Sequence, residues 1–173
     1  MRRLGKRVVL VDRLADGQPV GAAAERDGKL YLTKSLLYVF EEGEITACLC
    51  HELAHLSLGH IDRIRQLVAE YELVGMTRVV AGDPDRLVRA EIKAKMVSAL
   101  HQHEYEADEV GSLMAIQRFG VLAEECVSVY RKLVSFADGE TGYAQFLPTV
   151  THPPLRDRID RLSTILLKWG YLK

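Results

Sequence analysis

No stretch of this chain approaches the ~18 uncharged apolar residues that a bilayer-spanning helix needs. The most apolar regions carry charges such as Arg63, Glu70, Glu72 and Arg78, so no membrane span is expected. The opening is basic, but its apolar run, Val8–Val11, lasts only four residues before Asp12 and Arg13 interrupt it, too few for the core of a signal peptide. An excess of one charge sign is lacking too: 23 basic and 24 acidic residues are interspersed and leave a formal net charge of -1. Neither nucleic acid nor an anionic lipid surface is therefore indicated as a partner. The three cysteines, Cys48, Cys50 and Cys126, form no CxxC pair, and their odd number argues against a disulfide framework. A reducing, cytoplasmic setting is the expectation. Internal repeats and low-complexity tracts are absent.

What is present has the balance of one soluble globular domain, expected to span residues 1–173, with 48% hydrophobic and 27% charged residues. Residues 7–11, 20–24 and 29–33 read as short strands, punctuated by Asp16-Gly17 and Asp27-Gly28, the latter a hairpin signal. From Ser35 the apolar spacing turns helical. A long amphipathic helix over 45–59 follows the cluster Glu41-Glu42-Gly43-Glu44, whose acids suit a helix N-terminus. Residues 62–80 continue in the same vein, 81–85 make a break, and a further helix starts near Pro84 or Asp85. The long pattern over 87–118 ends before Gly120, a helix stop, and 122–136 forms another amphipathic helix. Residues 137–150 read as a loop, and the last helix opens at Thr151-His152-Pro153-Pro154 and runs to about Trp169. The fold class is α+β, mainly helical, with a small N-terminal sheet packed beside the 45–59 helix.

That helix carries His51-Glu52-Leu53-Ala54-His55. Residues four apart on a helix differ by about 40° in direction and about 6 Å along the axis, so both imidazoles can converge on one ion at ~2.0–2.1 Å. Zinc is the ion this chemistry indicates. Glu52 then stands beside the metal, placed to take a proton from the attacking water and pass it to the leaving amine. Two histidines leave a catalytic zinc one protein ligand short. Glu104, in His103-Glu104-Tyr105-Glu106-Ala107-Asp108, is the best candidate for the third, because Asp108 shares its helical face and can accept the distal N–H of His51.

HELAHLSLGH, then EYEAD, then THPPLRDRI, in that order, resemble the gluzincin family that includes the heat-shock protease HtpX and the CAAX prenyl endopeptidases. The resemblance covers nearly the whole chain. It implies a zincin-type domain with Glu104 as third zinc ligand, Asp108 in support, and His152 and Arg158 near the metal. His152 could donate to the oxyanion, as Arg158 could, or approach zinc directly and leave the enzyme latent. Otherwise His152 caps the last helix and Arg158 bridges to Asp108. Many family members carry transmembrane helices where this chain has charged segments between His60 and Glu104. The family's bulky edge strand is replaced here by Gly21-Ala22-Ala23-Ala24, which an extended peptide could still join as a strand.

The expected function is a zinc metalloendopeptidase hydrolysing unfolded or extended polypeptides, with peptide or protein substrates as its partners. The alternative is a latent zymogen or non-catalytic zinc-binding regulatory protein, with His152 or residues 168–173 blocking the metal. Oligomeric state leaves no signal. Cys48 and Cys50 read as buried hydrophobes, His60 as the end of the zinc helix, His101 and His103 as polar helix residues, and Tyr143 as an ordinary tyrosine.

Overall fold

The computed structural model describes residues 7–15, 17, 20–80, 86–138 and 152–173. Asp16 of the first turn, the 81–85 break, Tyr143 with its surrounding loop from 139, and Thr151 lie outside the described residues. Among the described residues three strands, β1 (Val8–Val11), β2 (Ala22–Ala24) and β3 (Leu30–Thr33), precede six helices. These are α1 (Leu36–Val39), α2 (Glu42–Ser57), α3 (His60–Val80), α4 (Arg86–Phe119), α5 (Ala123–Asp138) and α6 (Leu155–Lys168). The architecture is α+β and mostly helical, with the sheet at the N-terminal end, as the sequence predicts.

The sheet runs β1-β3-β2. The central β3 buries Leu30, Leu32 and Thr33, while the parallel edge strand β1 leaves Val8 and Leu10 half exposed. β2 joins β3 as an antiparallel hairpin, closed by Glu25 N–H donating to Lys29 O at 2.9 Å. In such a ladder alternate residues face the partner. Thr33 N–H donates to Gly21 O at 3.0 Å, so Gly21, Ala23 and Glu25 turn toward β3 and the backbone of Ala22 and Ala24 turns to the free side.

α2 begins at Glu42, ahead of the apolar pattern, because the acidic cluster forms its start. Glu41 N–H donates to the Glu44 carboxylate at 2.9 Å, and the buried Glu44 also takes Ser128 Oγ and Lys132 Nζ of α5, each at 2.6 Å. α2 stops at Ser57, and Gly59, at φ +71°, turns the chain through the left-handed region that side chains resist. α3 therefore sets off in a new direction from its first residue, His60. α4 ends as expected at Gly120, where Val121 N–H reaches back to Ala115 O at 3.2 Å.

α5 and α6 close the core over α2 with Cys126, Val127, Leu162 and Leu166, all buried, against Cys50 and Ala47. α6 starts later than the sequence suggests, at Leu155 with Pro154 as N-cap, so His152 is not its cap. The C-terminal segment packs at the far end of α4, where Gln117 Nε2 donates to Tyr171 Oη at 2.9 Å. Gln117 is thirteen residues beyond Glu104, about 20 Å along the helix, which removes residues 168–173 as a plug over the metal motif. Among the described residues no helix is long and apolar enough to cross a membrane.

α4 lies along α2 more extensively than any other pair of elements packs, and one residue sets their spacing. A Cβ added at Gly111 would stand 2.7 Å from His51 Cα and 2.8 Å from His51 N. Gly111→Ala would gain roughly 1 kcal/mol of helix propensity but forces two backbones apart, and overpacking of this kind costs about 1–3 kcal/mol. The expected outcome is a lower urea midpoint than wild type; a raised midpoint contradicts this packing.

Candidate metal centre

His51 and His55 lie one turn apart on α2, and α4 brings Glu104 against them. His51 Nε2 and His55 Nε2 are 3.0 Å apart. Glu104 Oε2 stands 3.6 Å from His51 Nε2, and its Oε1 stands 3.4 Å from His55 Nε2. One ligand atom from each of the three residues falls within 4.8 Å of the others. Tetrahedral ligands at 2.0–2.1 Å from a zinc ion are separated from one another by about 3.3–3.4 Å, and the three observed spacings straddle that value. The donor set, two imidazoles and a carboxylate, is also the one a catalytic zinc takes.

Behind the histidines a buried polar cluster fixes the arrangement. His51 Nδ1 lies 2.9 Å from Asp108 Oδ1. Asp108 also accepts from Arg158 Nε at 2.8 Å, from Arg158 Nη2, and from the Tyr130 hydroxyl. Arg158 Nη1 is 3.0 Å from Glu104 Oε2. One guanidinium thus holds both carboxylates of α4, the bridging arrangement among the alternatives for Arg158. Two of these close approaches are poorly aligned: His51 Nδ1 and Glu104 Oε2 are buried without a hydrogen bond of good angle. Glu104 Oε2, paired with Arg158 but without a well-aligned hydrogen bond, keeps capacity to accept in a polar pocket, which fits a site shaped for a cation.

The charges say the same. Burial opposes a proton on His51, yet Asp108 and Glu104 hold its pKa up to about 10. Burial, reinforced by His51, pushes His55 down to about 3, leaving a neutral imidazole. Against the penalty of burial, His51 and Arg158 hold Glu104 well below the usual carboxylate range, and Arg158 and His51 lower Asp108. Two carboxylates of lowered pKa thus flank a His51 that holds its proton, and a divalent ion can take the place of that proton.

Glu52 is raised by burial and by Glu104, with His51 opposing. It faces a cleft of about 140 Å³ between β2, α2 and α5, with Ala22, Phe40, Cys48 and Leu133 along the walls. His152 sits on the rim, its side chain 45% exposed and its Nε2 3.8 Å from Glu104 Oε1. All seven residues singled out in the sequence, His51, Glu52, His55, Glu104, Asp108, His152 and Arg158, are brought to one place. Tyr130 escaped notice because a tyrosine on an amphipathic helix reads as core. His60 and Glu106 escaped it as well: His60 Nδ1 meets His55 Nδ1 at 3.0 Å, and His60 Nε2 meets Glu106 Oε2 at 3.1 Å.

The sequence model of peptidase family M48 matches residues 20–166, which hold every residue of this site. Among curated proteins, the metalloprotease YcaL of Escherichia coli (strain K12) is 26% identical over 149 residues, a match covering 83% of this chain and 57% of that protein. The chain thus spans little more than half the length of that relative. No solved structure shows a significant match.

Replacing Asp108 by alanine leaves the Arg158 guanidinium and the His51 ring buried without their shared carboxylate. Breaking a buried pair in this way costs about 3–5 kcal/mol, measurable by urea unfolding of the metal-free protein. A loss below about 1 kcal/mol, the size seen for a surface pair, would show that the cluster is solvated.

Proposed function

Because the chain belongs to peptidase family M48, we propose that it is a zinc-dependent endopeptidase that hydrolyses peptide bonds in extended or unfolded polypeptides. The observation that supports this most is the convergence of His51, His55 and Glu104 within 4.8 Å beside an apolar cleft that Glu52 faces. His51 Nε2, His55 Nε2 and the Glu104 carboxylate would hold the ion. Zinc, when bound, supplies a Lewis acid that lowers the pKa of water to about 7 and polarises a carbonyl oxygen.

The protein's own groups do the rest. Glu52, made more basic by burial, takes a proton from the attacking water and delivers it to the leaving amine. Asp108 orients the His51 ring from behind, and Arg158 holds Asp108 and Glu104 in register. His152, on the rim beside Glu104, donates to the oxyanion that develops on the scissile carbonyl.

The cleft supports this substrate class. β2 is a terminal strand of the sheet, and the outward backbone of Ala22 offers an N–H and a C=O to an extended chain. Small alanine side chains along this strand impose little selection. Phe40 and Leu133 line the cleft beyond it and favour an apolar side chain, the kind that unfolded polypeptides expose. The three free cysteines suit a reducing, cytoplasmic setting for this activity.

A second reading is favoured by one observation, the approach of His152 to within 3.8 Å of Glu104. A fourth protein ligand would fill the position that water needs and leave the enzyme latent. His152→Ala separates the two, lowering kcat about 10²–10³-fold if the ring is an oxyanion donor and raising it if the ring blocks the site. Glu52→Gln is expected to keep one zinc per chain while casein hydrolysis falls about 10²–10⁴-fold, and Glu104→Ala to lose zinc affinity. Wild-type cleavage rates in Glu52→Gln would contradict the mechanism.

A further inference from the structure

None of the steps above uses His60, the first residue of α3, which is wholly buried behind the metal centre. The turn at Gly59 swings its ring back toward α2. Its Nδ1 stands 3.0 Å from Nδ1 of His55, and its Nε2 stands 3.1 Å from Oε2 of Glu106 on α4. The ring stacks on His103, with centroids 4.3 Å apart and 13° between the planes. Glu106 is held in turn: Gln102 Nε2 donates to its Oε1 at 3.0 Å, and Arg63 Nη1 lies 3.8 Å from its Oε2.

Two ring nitrogens at 3.0 Å share one proton, so one donates and the other accepts. His55 turns Nε2 toward His51 and Glu104. For that nitrogen to offer its lone pair to a cation, the ring's proton has to sit on Nδ1. His60 Nδ1 is then the acceptor, and His60 carries its own proton on Nε2, where the Glu106 carboxylate receives it. The direction of every proton in the chain from His55 to Glu106 is set.

We propose that His60 and Glu106 are positioning residues that fix the tautomer and ring orientation of His55 and raise its basicity as a metal ligand. The proposal rests on His51, His55 and Glu104 being the metal centre. The two histidines of the motif are oriented by different devices: Asp108 faces His51 directly, whereas the carboxylate of Glu106 acts on His55 through an intervening imidazole.

Zinc dissociation constants, measured by competition with a chromophoric chelator, test this on folded variants checked by their metal-free melting curves. His60→Phe keeps the ring's volume and its stack on His103 but cannot accept a proton, and binds zinc about 10–100-fold more weakly. His60→Asn, whose amide oxygen falls near the position of the ring Nδ1, recovers most of that loss. A purely packing role would reverse this order, and either Phe above Asn or Phe equal to wild type overturns the proposal. Should His60→Phe not fold, Glu106→Gln on the partly exposed end decides, and an unchanged zinc affinity there overturns it. His55→Ala separates the two layers: zinc retained by that variant refutes the metal centre itself, while zinc lost there but bound normally by His60→Phe refutes only the relay.

Discussion

Two helices meet backbone to backbone where Gly111 of α4 passes His51 of α2, and the arrangement of the site follows from that approach. A Cβ at Gly111 would lie 2.7 Å from His51 Cα, so the contact admits no side chain. Glu104, Asp108 and Gly111 are spaced four and three residues apart, which puts them on one stripe of α4. The stripe that lets the helices touch is the stripe that presents both carboxylates to the histidines. A wider crossing would leave Glu104 and Asp108 too distant from His51 to share it.

The same closeness concentrates charge where water is scarce. Glu104, Asp108 and Arg158 are each less than a tenth exposed, and His51 sits between the two acids. Such clusters are seldom the most stabilising way to fill a protein interior; well-packed apolar residues of equal volume serve as well or better. Tyr130 and Arg158 offset part of the desolvation of Asp108, and Lys132 and Ser128 do so for Glu44 at the start of α2. Among the buried atoms left without a well-aligned hydrogen bond, the Glu104 oxygen Oε2 stands where a cation held by His51 Nε2 and His55 Nε2 would sit. The stabilisation missing from the protein is the part that an ion can supply.

Much of this was legible in the residues. The His51 and His55 spacing works through helix geometry alone, and the pairing of Glu104 with Asp108 works through the same four-residue step. The Asp27-Gly28 hairpin and the Gly120 stop follow from local backbone preference. What escaped depended on long-range placement. His60 reads as the frayed end of a helix, yet Gly59 reverses the chain and turns that ring inward toward a carboxylate 46 residues away. Tyr130 enters the cluster from α5, and no local pattern distinguishes it from a core tyrosine. Gly111 lies inside the long helical pattern over 87–118. Arg158 could be matched to a motif, but only burial and its bonds to Asp108 and Tyr130 show it as a clamp. A glycine within a helix, opposite a ligand motif, is the one signal that could have located the crossing.

Crystals of the zinc-loaded protein, measured on both sides of the zinc absorption edge, test the central claim most directly. One anomalous peak is predicted at about 2.0–2.1 Å from His51 Nε2, His55 Nε2 and a Glu104 oxygen together. A peak on the Cys48 sulfur, or one touching the two imidazoles with Glu104 turned away and no other protein atom in its place, would contradict it.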